Sequence, residues 1–191
     1  MTNTRLEAFS DAVIAIVITI LVLELTVPHE PELAALRELV PVFLSYVLSF
    51  VYLGIYWNNH HHMLVLTDQV NGAILWANLH LLFWLSLVPF TTGWMGENDF
   101  AAVPTAVYGV DLLLAAIAYF ILQTTIIAQE GPDSRLKAAL GRDLKGKVSP
   151  VLYLAGILLS FVEPWIGLAI YVFVALMWLV PDRRIESVVG E

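Results

Sequence analysis

The chain has 191 residues, of which 59% are hydrophobic and only 14% are charged, and its net charge is −8. Soluble domains carry about 25% charged residues, so this composition indicates a protein whose solvent is lipid. The acidic charge and the lack of a basic patch argue against nucleic acid as a partner. Without cysteine there is no disulfide, thiolate metal site or cysteine nucleophile.

Six apolar stretches follow one another, each near the ~20 residues that a bilayer core requires or somewhat shorter. They predict six transmembrane helices, at approximately 5–27, 39–64, 71–94, 103–129, 148–162 and 165–181. Because they occupy almost the whole chain, residues 1–191 are expected to form a single all-α, polytopic membrane domain. The first stretch is too long for a signal-peptide core and lacks a small-residue cleavage site, so we expect it to be retained.

Two prolines bear on these helices. Pro89 lies near the end of the third predicted helix, where a missing backbone hydrogen bond is easier to replace. The last two stretches are separated only by Glu163 and Pro164. Because proline disfavours helix in the residue before it, we predict a hairpin of two short helices there. One long kinked helix is the alternative.

The basic residues predict the orientation. With six spans and the N-terminus inside, only Arg37 of the nine Lys and Arg residues lies outside. The cytoplasmic ones are Arg5, Arg135, Lys137, Arg142, Lys145, Lys147, Arg183 and Arg184. Five spans would place the last two arginines on the opposite side. Both termini are therefore expected in the cytoplasm.

One face of the first helix carries Ile16, Thr19, Ile20 and Leu23, at i, i+3, i+4 and i+7. Any isoleucine-rich membrane helix has such a stripe, and contact with lipid would explain it. Alternatively, several copies of the helix surround an axis, and the branched side chains form a hydrophobic constriction that gates by dewetting. Thr19 adds a hydroxyl that can contact a partly dehydrated cation.

Ser10 and Asp11 lie at the cytoplasmic end of this helix. They are suited to capping a helix N-terminus, but residues 5–7 already look helical, which places both inside the helix. Arg5 and Asp11 are six residues apart, so they do not face each other on one helix. Each is therefore expected to bond to another helix or another subunit.

Three adjacent histidines, His60, His61 and His62, end the second helix. Successive helical residues point about 100° apart, so the three cannot converge on one metal ion, and we predict no metal site. We expect His60 to reach inward to Ser10 and Asp11, and His61 or His62 to meet headgroups or water.

Four further polar residues stand in or beside apolar stretches. Asn71 and Asn78, seven residues apart, can present their amides to the cluster around Ser10. Asp111 lies inside the fourth predicted helix and is a functional candidate, unless it is close enough to the interface for water to reach it. Glu24 either forms an acidic ring at an outer pore mouth or is an ordinary interfacial residue.

The sequence has no nucleophile elbow, no His-Glu-x-x-His and no phosphate-cradling glycine loop, so we do not expect an enzyme. The filter sequence Thr-Val-Gly-Tyr-Gly is also missing, which argues against the P-loop potassium-channel architecture.

Several of these residues together resemble the endosomal and lysosomal potassium channel family, transmembrane protein 175, in its bacterial and archaeal branch. They are Arg5-x-x-x-Phe9-Ser10-Asp11, Trp57-x-x-His60, Asn78 and Pro89-Phe90. The likeness covers roughly residues 4–92. It implies a moderately potassium-selective cation channel in which four six-helix subunits surround a pore lined by the first helix.

The resemblance also implies residue roles. The narrow constriction falls at Ile16, the next pore positions at Thr19 or Ile20, and the last at Leu23. A set of side chains that we term the polar lock ties the first helix to the second and third: Arg5, Phe9, Ser10, Asp11, Trp57, His60, Asn71 and Asn78. Asn71 departs from the family pattern, which has an acidic residue there in many members.

These observations predict a homotetrameric potassium channel with a hydrophobic gate, multi-pass in a prokaryotic plasma membrane. We expect no cofactor, and as partners a second copy of the chain, membrane lipids, potassium and other alkali cations. The rival hypothesis, a proton-coupled ion carrier or proton leak pathway, is motivated by Asp111 and the histidines. A non-conducting membrane scaffold is a third possibility.

Overall fold

A computed structural model of the chain describes residues 3–67, 69–141 and 143–179. These residues form helices joined by short connections. The helices are α1 Asn3–Leu21, α2 Ala35–Glu38, α3 Val40–Val65, α4 Gly72–Glu97, α5 Ala102–Glu130, α6 Arg135–Leu140, α7 Leu144–Ser160 and α8 Pro164–Leu179. Single 3₁₀ turns, Val22–Glu24 and Gly131–Asp133, extend α1 and α5. Arg142, Arg183 and Arg184, which contribute to the predicted orientation, lie outside the described residues.

The described residues are all-helical, as predicted, and four of their helices are long and apolar enough to cross a membrane. These are Asn3–Glu24, which is α1 with its 3₁₀ turn, and α3, α4 and α5. The apolar α8 has only 16 residues. The last two apolar stretches do form two separate helices, α7 and α8. That both of them also span the membrane stays a prediction.

Helix α3 packs against α1, α4 and α8 and leaves one side exposed, with Phe43 and Phe50. Helix α5 packs against α4 on one side and against α7 and α8 on the other. Helix α1 packs mainly against α3 and α4, which places it at one side of the bundle, away from the α7–α8 pair. The largest fully buried side chains, Tyr52, Tyr108 and Tyr171, fill the interior between α3, α5 and α8.

The connection between α4 and α5 differs from the sequence prediction. Helix α4 continues to Glu97, so Pro89 lies well inside it and is buried. Membrane helices tolerate such a proline when neighbouring helices enclose it, as α3 and α5 do here. The chain then turns through Asp99 and Phe100, which have left-handed φ angles of 49° and 57°. Phe100 is buried with its ring centroid 5.2 Å from that of Trp165, and this packing holds the unusual backbone in place.

Glycines let the helices approach closely around Tyr171. A Cβ added at Gly156 on α7 would lie 2.5 Å from the Tyr171 ring, and one at Gly109 on α5 would overlap the Tyr171 hydroxyl. Small residues of this kind replace the hydrophobic effect as the basis of helix packing in lipid.

We therefore expect Gly156→Ala to lower the unfolding temperature, because overpacking a tight contact costs about 1–3 kcal/mol. Thermal unfolding in detergent, followed by near-UV circular dichroism, measures the change. The matched control is Gly54→Ala on α3, where an added Cβ has nothing within 4 Å. Equal unfolding temperatures for the two variants would contradict the close packing of α7 on α8.

Candidate functional site

Helix α1 has two faces of different character. One face packs into the subunit and is buried: Leu6, Ser10, Ile14, Val17 and Leu21. The four residues predicted to line a pore are all exposed on the outer side of the helix, with Ile16 57% and Leu23 75% accessible. The Thr19 hydroxyl donates to the Ile16 carbonyl at 2.8 Å, so its oxygen lone pairs remain available to a ligand. The predicted pore residues thus face away from their own subunit.

A chain of hydrogen bonds around Asn78, which we name the Asn78 network, joins three helices. The Asn78 Nδ2 group donates to Ser10 Oγ on α1 at 2.9 Å. The Asn78 Oδ1 atom lies 2.7 Å from His60 Nε2 on α3. Ser10, His60 and Asn78 are all fully buried. His60, which was predicted to reach inward to Ser10 and Asp11, is joined to Ser10 through Asn78, whereas Asp11 bonds to Trp57.

The Asn78 network also fixes where the His60 proton lies. The Ser10 hydroxyl donates its hydrogen to the Leu6 carbonyl at 2.8 Å, so Ser10 can only accept from Asn78. This requirement orients the Asn78 amide with its oxygen towards His60. Since an amide oxygen only accepts, His60 carries its hydrogen on Nε2 and donates it to Asn78. His60 Nδ1 is buried with no hydrogen-bond partner among the described residues.

A second set of contacts, the α1–α3 ladder, joins polar side chains spaced four residues apart on α1 to antiparallel positions on α3. The pairs are Asn3 Nδ2 to the Leu64 carbonyl at 2.6 Å, Glu7 Oε1 with His61 Nδ1 at 2.8 Å, and Trp57 Nε1 to Asp11 Oδ1 at 3.0 Å. The ladder extends over about 12 Å of helix. Together with the Asn78 network, it fixes the rotation of α1 about its own axis.

The α1–α3 ladder includes residues that sequence reasoning missed. Glu7 and Asn3 had no assigned role, although with Asp11 they form an i, i+4, i+8 series that marks one helix side. His61, which with His62 was a candidate to meet headgroups or water, pairs with Glu7 and stacks on Trp57 with ring centroids 6.4 Å apart.

Other members of the predicted polar lock lie elsewhere. Arg5 and Phe9 are exposed, and Arg5 makes no hydrogen bond or ion pair with another described residue. Asn71 is the N-cap of α4: its side chain accepts from the Ile74 N–H at 2.9 Å and donates to Gln129 Oε1 on α5 at 2.5 Å. The structure therefore connects Asn71 to α5 and not to Ser10.

The predicted pore-mouth residue Glu24 is half-buried in the 3₁₀ turn after α1. Its carboxylate lies against α4, where a methyl group at Gly93 would overlap it. Among the described residues, no group of three or more His, Cys, Asp or Glu side chains is placed to hold a metal ion.

Comparisons with known proteins agree with this architecture. The profile of the family described as endosomal/lysosomal potassium channel TMEM175 matches residues 5–89. A protein named as a potassium channel in Chryseobacterium sp. (strain P1-3) is 53% identical over the full length of both chains. A potassium channel of Chamaesiphon minutus is 32% identical over 87% of this chain and 88% of its own length.

Solved and animal relatives extend the comparison. The crystal structure of a lysosomal potassium-selective channel TMEM175 homolog from Chamaesiphon minutus superposes with a TM-score of 0.83 at 29% identity, covering 94% of this chain and 97% of that one. The endosomal/lysosomal proton channel TMEM175 of Bos taurus is 29% identical over 74% of this chain but only 33% of its own length. By its sequence and its fold alike, this multi-pass membrane protein belongs to the TMEM175 family of ion channels.

Proposed function

We propose that four copies of the chain assemble around α1 and conduct potassium and larger alkali cations along the axis between them. The observation that carries this proposal is the exposed apolar face of α1, opposite a face held by the Asn78 network and the α1–α3 ladder. A helix at one side of the bundle can meet its copies at an axis without rearrangement. The names of the bacterial relatives support potassium as the permeant ion.

The constriction would be built from side chains that offer an ion few ligands. Ile16, Ile20 and Leu23 carry no oxygen, so an ion passing them keeps most of its water, and a narrow apolar ring empties of water when closed. Thr19 would supply the hydroxyl oxygens in this stretch, about 5 Å along the axis from Ile16. Larger alkali cations lose water more easily than sodium, which accounts for moderate rather than strict selectivity. No bound cofactor is needed for this mechanism.

The direction of the pore follows from the two ends of the bundle. The Asn71–Gln129 bond places the end of α5 at the same end as the start of α4 and the Asn78 network. The basic segment after α5, with Arg135 and Lys137, follows at that end. Six spans with both termini in the cytoplasm place this basic end inside. Glu24 then lies at the outer end of the bundle, where its carboxylate would have to turn away from Gly93 on α4 to join a ring that concentrates cations.

Liposomes that contain the purified protein and are loaded with potassium should release it down its gradient without valinomycin. Planar bilayers should show discrete single-channel steps. A proton-coupled carrier, favoured by the buried carboxylate of Asp111, would instead saturate at low turnover and give no steps. Absence of any potassium flux from folded protein would contradict the proposed function.

Replacing Ile16 with asparagine should raise potassium leak, because a polar ring holds water where the apolar ring excludes it. A barrier lowered by ~1.4 kcal/mol raises flux about tenfold. The control is Ile117→Asn on α5, another exposed isoleucine of a long apolar helix. Leak that rises equally in both variants, or in neither, would remove Ile16 from the constriction.

Replacing Asn78 with alanine removes the bonds to Ser10 and His60, each worth about 0.6 kcal/mol in a membrane. Because α1 then loses its fixed rotation, we expect a smaller tetramer fraction by native mass spectrometry and altered potassium flux. Asn58→Ala on α3 is the matched control, since Asn58 is half-buried and makes no hydrogen bond with the described residues. A normal tetramer with normal flux in Asn78→Ala would show that the Asn78 network does not position α1.

A further inference from the structure

A buried carboxylate lies in the bundle away from the exposed face of α1. Asp111 on α5 is 4% exposed. Its Oδ2 atom is 3.0 Å from Thr91 Oγ1 on α4, and its Oδ1 atom has no hydrogen-bond partner in the described part of the chain. Asp111 also forms no ion pair with a described residue. Its charge, if present, would be uncompensated in the membrane interior, at a cost of several kcal/mol.

The hydrogen bonds available to the Thr91 hydroxyl favour the protonated, neutral form of Asp111. The Thr91 hydroxyl has one hydrogen and lies 3.2 Å from the Val88 carbonyl as well as near Asp111. When Asp111 is protonated on Oδ2, it donates to the Thr91 hydroxyl, and Thr91 donates to the Val88 carbonyl. Each of the two hydroxyl hydrogens then has an acceptor. When Asp111 is ionised, one hydrogen bond is all that stabilises a buried negative charge.

The surroundings of Asp111 suit a proton better than a potassium or sodium ion. An alkali ion in a protein needs several oxygen ligands to replace its hydration shell. Around Asp111 the only side-chain oxygen within hydrogen-bond distance, among described residues, belongs to Thr91. Among the described residues, the titratable groups coupled electrostatically to the carboxylate are Tyr56 on α3 and Tyr108 on α5, and neither is basic. From α8, the group that faces this part of α5 is Tyr171, at Gly109.

A cavity extends from Tyr52 and Tyr56, in the bundle interior, to Asp143 and Gly146 at the end that carries the basic segment. It lies between α3, α5, α7 and α8, has a volume of about 50 Å³, and is lined by Tyr56 together with Asn59, Gln123 and Asp143. The rest of the lining is mostly apolar and aromatic, including Ile55, Phe120 and Trp178, and the volume has room for about three water molecules beside the polar groups. Tyr56 thus borders the cavity, and its hydroxyl is close enough to Asp111 to be coupled to it electrostatically. At the far end, Gln123 donates to Asp143 at 3.2 Å.

We propose that Asp111 is a proton-binding site inside each subunit, separate from the α1 axis, which exchanges its proton with water in this cavity. In uptake, a hydronium ion in the cavity transfers a proton to the Tyr56 oxygen and becomes water. The original Tyr56 O–H bond breaks, and that hydrogen forms a new O–H bond on ionised Asp111 Oδ2. Release is the reverse.

Infrared spectroscopy of the full chain in lipid tests the protonation state. At neutral pH the protein should show the carbonyl band of a protonated carboxylic acid, and Asp111→Asn should lack it. Glu163→Gln, at an exposed position between α7 and α8, should retain it. Thr91→Val should keep the band but shift its frequency, since the acid loses its hydrogen-bond acceptor. A missing band in the unmodified protein, or an unshifted band in Thr91→Val, would overturn the proposal.

Hydrogen–deuterium exchange of the same band tests the route. Tyr56→Phe should slow exchange about tenfold, as expected when a relay is removed and the barrier rises. Tyr46→Phe, on the half-exposed side of α3, should leave exchange unchanged. Equal exchange in both variants would overturn the cavity route. Neither measurement involves potassium. They therefore test the proton site even if potassium conduction along α1 is not observed.

Discussion

The rotation of α1 depends on Asn78. Its single amide holds Ser10 on α1 and His60 on α3 at the same time, in a fully buried position. In lipid, helices are not driven together by the hydrophobic effect, so close packing and polar bonds decide their geometry. Each bond is weak, but the Asn78 network and the α1–α3 ladder act together along the same half of α1. That cooperation determines which residues of α1 point away from the subunit.

This arrangement separates the subunit into regions with different tasks. The glycine-rich contacts around Tyr171 hold α5, α7 and α8 together as a scaffold. The first half of α1 is fastened to α3 and α4, whereas the second half presents bare apolar side chains such as Leu23. The carboxylate of Asp111 belongs to the scaffold and not to α1. The proposed proton site at Asp111 and the proposed constriction at Ile16 therefore lie on different helices.

Much of the fold was predictable because each long helix coincides with an apolar stretch long enough to cross a membrane. The bounds differ where local chemistry decides: Asp143 caps α7 by accepting from the Gly146 N–H, so the helix begins before its apolar stretch. His60 was predictable because a polar group inside an apolar helix needs a partner. The Glu7–His61 pair was not, because three adjacent histidines point in three directions until the rotation of α1 is known. The bond from Asn71 to Gln129 was not predictable for another reason: Gln129 lies on a helix distant in sequence, and no spacing along the chain links the two residues.

Exposure alone does not separate a pore face from a lipid face, because Ile16 and Ile117 are both accessible apolar side chains on long apolar helices. The two helices differ in position, because α1 packs mainly against α3 and α4, whereas α5 packs against α4, α7 and α8. Polar groups are costly within a membrane and are retained where they fix a geometry that matters. Helix α5 also carries polar contacts, through Asp111 and Gln123, so polar contacts alone do not mark a pore helix. Helix α1 carries Ser10 and Asp11 in such fixed contacts, and a fixed rotation is useful when the outer face must meet another copy of itself.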